Sequence, residues 1–239
     1  MVRWRAGLSS VNVDPVDEDN RREFDEPCIL VIGEGKSDAA FLRRLCKDRG
    51  IAGLRLAFPS EETAGGGGKT QFGNYLSRSV TRPGFGRYVH GVVIVADNDS
   101  ANAFRDAADQ VPTETYSLPL TAGVIARDAD RIPSSVFLVP DNSDGCLETL
   151  IIQSSSWDAA KNQCLDDYKN CSVGAVTWSQ AHADKFRLRC VVAATCTDPE
   201  CSTSMLWKKD KKGLPFDIKH AAFDPLVTFL RGALVDRRP

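Results

Sequence analysis

Residues 92–96 form an unbroken apolar run, VVIVA, β-branched at four of five positions and ending on Asp97 and Asp99. A strand with no polar alternation has no face to give to water. The run therefore predicts the centre of a parallel sheet covered on both faces. Residues 28–33 repeat the pattern, and their apolar run ends on Glu34 with Asp38 one helical turn further on. A third run, residues 136–139, leads into PDNSDG, where Asp141 and Asp144 read as turn residues. Sheets of this kind bind ligands in the crevice beyond the carboxyl ends of their strands. Carboxylates gathered there suit a hard divalent cation, which takes oxygen ligands.

Between the runs lie helical patterns. Residues 37–48 read as a helix capped by Ser37 and ended by Gly50, with Ala39, Ala40, Phe41 and Leu45 on its apolar face. Further helices are expected at 71–80, 101–110 and 146–153, and a short strand at 54–58. Three prolines (Pro112, Pro119, Pro133) break the stretch between into loops. From Trp157 onward the pattern is helical, at 157–168, 179–194 and 224–234. The expected organisation is a polar lead-in over 1–26, an α/β core over 27–156, and a helical extension over 157–239 packed on it.

The bulk numbers narrow the classes. Apolar residues make up 42% of the 239, too many for a disordered chain. A formal net charge of -2 carries no global basic signature, so any contact with nucleic acid must come from a local patch. No apolar run approaches the ~20 residues that span a bilayer, and the first residues lack a signal-peptide core. The eight cysteines are scattered, several inside apolar segments (Cys28, Cys46, Cys190). Cys164 with Cys171 and Cys196 with Cys201 lack zinc-knuckle spacing. A reduced, cytoplasmic protein without a membrane partner is the expectation.

In chain order the acids read Glu34-x-x-x-Asp38, Asp97-x-Asp99 and Gly145-x-x-Glu148. With these motifs, residues 28–195 resemble the toprim domain, the metal-binding module of topoisomerases, primases, ribosomal-RNA maturases and overcoming-lysogenization-defect nucleases. The first glutamate matches VIGEG and the DxD matches VADND. Asp38, the GCLE glutamate and, by position only, Lys185 match the nuclease branch. The tail LPFDIKHAAFDPLVTFL also resembles small toprim-like bacterial proteins. The resemblance implies a Rossmann-like α/β fold with a mainly parallel sheet. It implies two Mg2+ or Mn2+ ions on Glu34, Asp38, Asp97, Asp99 and Glu148, cleavage of DNA or RNA phosphodiesters, and a charge-neutralising role for Lys185. In the topoisomerase-like branch the first glutamate is a general acid/base, so Glu34 has two roles open to it. A partner protein such as an ATPase, and self-association, are left open.

Each residue also has a plainer reading. Asp38 and Glu148 suit the dipole of a helix start, Glu34 a surface turn, Asp97 and Asp99 a cap, and Lys185 a solvated helix face. GGGGKT (65–70) suggests a phosphate loop, but the pattern needs glycine where Thr63 stands, so a loop over the sheet edge is expected. Lys36, Lys69 and Arg87, with Arg78, Arg82 and the lysines of 208–212, are the cations available to a phosphate backbone. Two other functions compete. A haloacid-dehalogenase-like phosphatase would use Asp97 as nucleophile, although Ala101 departs from that motif and Glu34 is left without work. A non-catalytic toprim-like subunit would bind metal or nucleic acid without turnover.

Overall fold

The computed structural model describes residues 23–59, 68–173, 177–196, 203–207 and 215–235. Most of the polar lead-in, the glycines of the 64–67 loop and the 208–212 lysines lie outside the described residues.

Four strands form one sheet: β1 (Cys28–Ile32), β2 (Leu54–Ala57), β3 (Val89–Asp97) and β4 (Ser134–Val139). Their order is β2-β1-β3-β4, and every pairing is parallel. Leu30 faces Val92, Ile32 faces Ile94, and Asp97 faces Val139 across the ladder. Helices cover both faces, making an α/β fold of the Rossmann-like kind.

Alternate residues serve the two layers, as the two-residue repeat of a strand requires. Ile29, Val31, Val93, Val95 and Val139 pack on α1 (Lys36–Asp48) and on C-terminal helices introduced below. Leu30, Ile32, Val92, Ile94 and Val136 pack on Phe72, Tyr75 and Leu76 of α2 (Phe72–Val80), on Phe85 of α3 (Phe85–Tyr88), and on Ala107 and Ala108 of α4 (Ala103–Ala108). With both faces taken, no position in β1 or in the second half of β3 is left for a solvated side chain. This explains the unbroken runs.

The C-terminal half supplies α5 (Leu147–Gln153), α6 (Ala159–Val173), α7 (Gln180–Thr195), α8 (Thr203–Leu206) and α9 (Asp224–Val235). Leu188 and Val192 of α7, Trp207, and Leu226, Val227 and Leu230 of α9 join the same apolar cluster as Val31 and Phe41. Phe41 meets Trp207 and Phe223 at 5.1 and 5.2 Å, and Phe137 stacks on Phe229 at 4.7 Å. Arg49 fixes the approach to α9, donating to the carbonyls of Lys219 and His220 and pairing with Asp224. No helix among the described residues is long and apolar enough to cross a membrane.

Local boundaries differ from the sequence expectation in instructive ways. Helix α1 begins at Lys36 with Gly35 as its cap, and Asp38 Oδ2 accepts the Gly35 N–H at 2.9 Å. Ser37, expected as the cap, instead meets the Thr203 hydroxyl at 3.1 Å. The stretch from Pro112 to Pro133 is held by Tyr116, fully buried, whose hydroxyl donates to the Leu76 carbonyl.

Candidate metal centre

The sheet order puts the site where it is. From β1 the chain crosses to β2 on one side and returns to β3 on the other, so the strand order reverses between β1 and β3. Beyond the carboxyl ends of two such strands, the connections leave in opposite directions and open a crevice. Glu34 stands two residues past the end of β1, and Asp97 is the last residue of β3. A cavity of about 470 Å³ lies there, lined by Glu34, Lys36, Asp38, Asp97, Glu148 and Lys185, among others.

Each side chain is held by a different element. The Asp97 N–H donates to Glu34 Oε1 at 2.8 Å, tying the two strand ends together. Asp97 Oδ1 accepts the Leu147 N–H at the start of α5, at 3.1 Å. Its other oxygen meets Lys185 Nζ of α7 at 2.9 Å. Asp38 enters from the first turn of α1 and Glu148 from the first turn of α5. The turn before α5 is pinned to the end of β3, because the Asn98 side chain donates to the carbonyls of Pro140 and Ser143 and Gly145 N–H donates to the Asn98 carbonyl. Gly145, at φ 156°, has no room for a side chain: a Cβ would stand 2.6 Å from Thr149 Oγ1.

Four carboxyl groups share this space with two lysines, too few cations to let all four ionise freely. Burial, with the charge of Asp97 next, pushes the Glu34 carboxyl up to about 7. Asp38 is raised well above the usual carboxylate range by burial, then by Asp97, Glu148 and Glu34. Asp97 is raised by burial, which Lys185 offsets only in part. Burial works against the Lys185 ammonium, but Asp97 and Glu148 outweigh it and its pKa rises. Carboxyl groups that resist ionising together in a crevice are the arrangement a divalent cation relieves, and all the donors are hard oxygens apart from Cys146 beside them. The residues therefore fit such an ion, which Glu34, Asp38, Asp97 and Glu148 would hold.

The structure does not bring every expected residue here. Asp99 lies outside the cavity lining and pairs with Lys69 at 2.9 Å, because the chain turns at the doubly anchored Asn98. Lys69 is nonetheless placed beside the site: its neighbour Gly68 lines the cavity, and Gln110 Nε2 holds the Lys69 carbonyl at 2.6 Å. Lys36 lines the cavity at the start of α1. Arg87 precedes the nine-residue strand β3, which carries it roughly 25 Å from Asp97 at the strand's rise per residue. There it lies over the Tyr88 ring, and Arg82 lies over Phe24. Neither arginine belongs to this site.

Sequence reasoning missed Cys146. Its sulfur is fully buried, and burial with Glu148 and Asp97 pushes the thiol up to about 12. Ligand atoms of Cys146, Asp97 and Glu148 all lie within 4.8 Å of one another. The only signal was its position, two residues before Glu148.

A family model described as protein of unknown function (DUF3226) matches residues 28–234. The chain belongs to that family. No curated protein and no solved structure matches it. In this DUF3226 chain the matched span runs from the start of β1 into α9 and takes in all the cavity residues named above.

Proposed function

We propose that this DUF3226 chain is a metal-dependent phosphodiesterase acting on DNA or RNA, with a toprim-type carboxylate site. One observation carries the reading: acids from the turn after β1 and from α1, β3 and α5 converge with a lysine from α7 on one cavity at the strand-order reversal. Mg2+ or Mn2+, when bound, supplies activation of a water and neutralisation of the leaving oxygen. The chain's own residues do the rest. Asp97 is oriented by Leu147 N–H and Lys185, so its carboxylate is aimed at the cavity before a ligand arrives. Glu34, tied to the Asp97 N–H through Oε1, is placed either to hold the ion or to take a proton and return it. Lys185 Nζ, anchored on Asp97, balances charge that builds on phosphoryl oxygens. Lys36 and Lys69 stand at the rim, where cations position a phosphate backbone.

The phosphatase reading, with Asp97 as nucleophile, gives Glu34 and Asp38 no task. The deciding experiment incubates supercoiled plasmid, linear DNA and structured RNA with Mg2+ or Mn2+, comparing wild type with Asp97→Ala. Cleavage by wild type alone is expected, and its substrate preference names the nucleic acid. Metal-dependent stabilisation with no cleavage by either protein would overturn the enzyme in favour of a binding subunit.

A further inference from the structure

Cys146 has no task in that chemistry. Its Sγ is buried, 3.7 Å from both Thr149 Oγ1 and the Ala181 carbonyl. It sits against two carboxylates brought in by different elements, Asp97 by β3 and Glu148 by the first turn of α5. A tetrahedral zinc ion holds sulfur at about 2.3 Å and oxygen at about 2.0–2.2 Å, which brings its ligands to roughly 3–4 Å from one another. The three atoms, within 4.8 Å of one another, reach that separation with an ångström or so of side-chain movement. A thiolate beside two carboxylates is a poor donor set for Mg2+ and a good one for Zn2+.

We propose that Cys146, Asp97 and Glu148 form a capture site for a thiophilic divalent ion, Zn2+ foremost. Binding forms a metal–sulfur bond as the S–H bond breaks heterolytically. The proton leaves to solvent, and no electron is transferred. Zn2+ then occupies two of the four carboxylates and displaces the catalytic ion, so it inhibits. The inhibition rests on the phosphodiesterase reading; the ligation does not.

X-ray absorption at the zinc edge of the full chain loaded with Zn2+ alone tests the ligation. One sulfur neighbour at about 2.3 Å alongside oxygen neighbours is expected in wild type. That sulfur is expected to vanish in Cys146→Ser, with Zn2+ bound roughly tenfold or more weakly. An oxygen-only shell in wild type, or a sulfur shell that survives Cys146→Ser, overturns the proposal. So does a sulfur lost in a Cys164→Ser/Cys171→Ser variant, whose cysteines are exposed on α6. Cys146 is the N-cap of α5, and serine is a good cap, which favours a folded variant. Should circular dichroism show Cys146→Ser unfolded, Glu148→Gln serves instead: weaker Zn2+ binding with sulfur retained is expected, and unchanged affinity overturns the proposal. A wild-type sulfur shell without Mg2+-dependent cleavage would sink the enzyme reading and leave the ligation standing.

Discussion

Lys185 Nζ reaches from α7 to within 2.9 Å of Asp97 Oδ2 at the end of β3. The lysine comes from the C-terminal helices and the aspartate from the centre of the sheet. Their contact makes the helical addition part of the site and not merely its cover. It also leaves the ammonium beside the oxygens that a divalent cation would use.

Replacing Lys185 with methionine therefore has two opposite effects. In chelator, the Asp97 carboxylate loses its counter-charge, and stability to urea falls by about 1–2 kcal/mol; the pair is partly solvated, so the cost stays below that of a buried one. With Mg2+ added, the rise in Tm is larger than for wild type, because a competing cation is gone. Cleavage is lost all the same. A metal-induced rise smaller than wild type would show that Lys185 helps to build the site instead of balancing it.

Stability in chelator should fall as pH rises. The Glu34 carboxyl titrates at about 7 in the folded chain, against about 4.3 in an unfolded one. Between these values the folded state holds a proton that the unfolded state has released, so raising the pH favours unfolding. Asp38 and Asp97, also raised, act in the same direction. The loss from pH 5 to 8 is on the order of 2 kcal/mol, or roughly 4–8 °C in Tm. Saturating Mg2+ or Glu34→Gln should flatten the slope, as thermal melts across pH would record.

Much of this was legible in the sequence, for reasons particular to the residues. The apolar runs of β1, β3 and β4 have no polar alternation and allow only a doubly covered sheet. Glu34 after β1 and Asp97 at the end of β3 then meet at one edge of the sheet. The pairing of Asp99 with Lys69 outside the cavity lining was not legible, because it follows Asn98, whose partners at Pro140 and Ser143 are more than forty residues away. Arg87 was grouped with Lys69 by nearness in sequence, and only the length of β3 shows how far it stands from the cavity. Cys146 was passed over because a thiol in an apolar segment reads as a small hydrophobe until its neighbours in space are known.

Two glycines should respond oppositely to alanine. At Gly145 the backbone lies at φ 156° and a Cβ would strike Thr149 and Pro140. Gly145→Ala should cost about 2–3 kcal/mol and shift the start of α5, weakening metal binding through Glu148. Gly232, in α9, has nothing within 4 Å of a built Cβ and no unusual φ. Gly232→Ala should stabilise by about 0.5–1 kcal/mol and leave metal binding unchanged. Urea melts with a Mg2+ titration separate the two.

The last prediction concerns substrate positioning. Gln110 Nε2 holds the Lys69 carbonyl at 2.6 Å, its Oε1 accepts the Gly73 N–H, and Lys69 Nζ pairs with Asp99. This clamp fixes a rim cation without touching the cavity carboxylates. Gln110→Ala should release Lys69 at a cost of about 1 kcal/mol in stability, the worth of the hydrogen bonds removed. Substrate KM should rise severalfold, with kcat and the Mg2+-induced Tm shift near wild type, because a phosphate contact made equally in ground and transition states affects binding alone. Lys69→Ala should do the same, and the two changes combined should cost no more than Lys69→Ala by itself. A fall in kcat with KM unchanged would instead assign Lys69 to the chemical step.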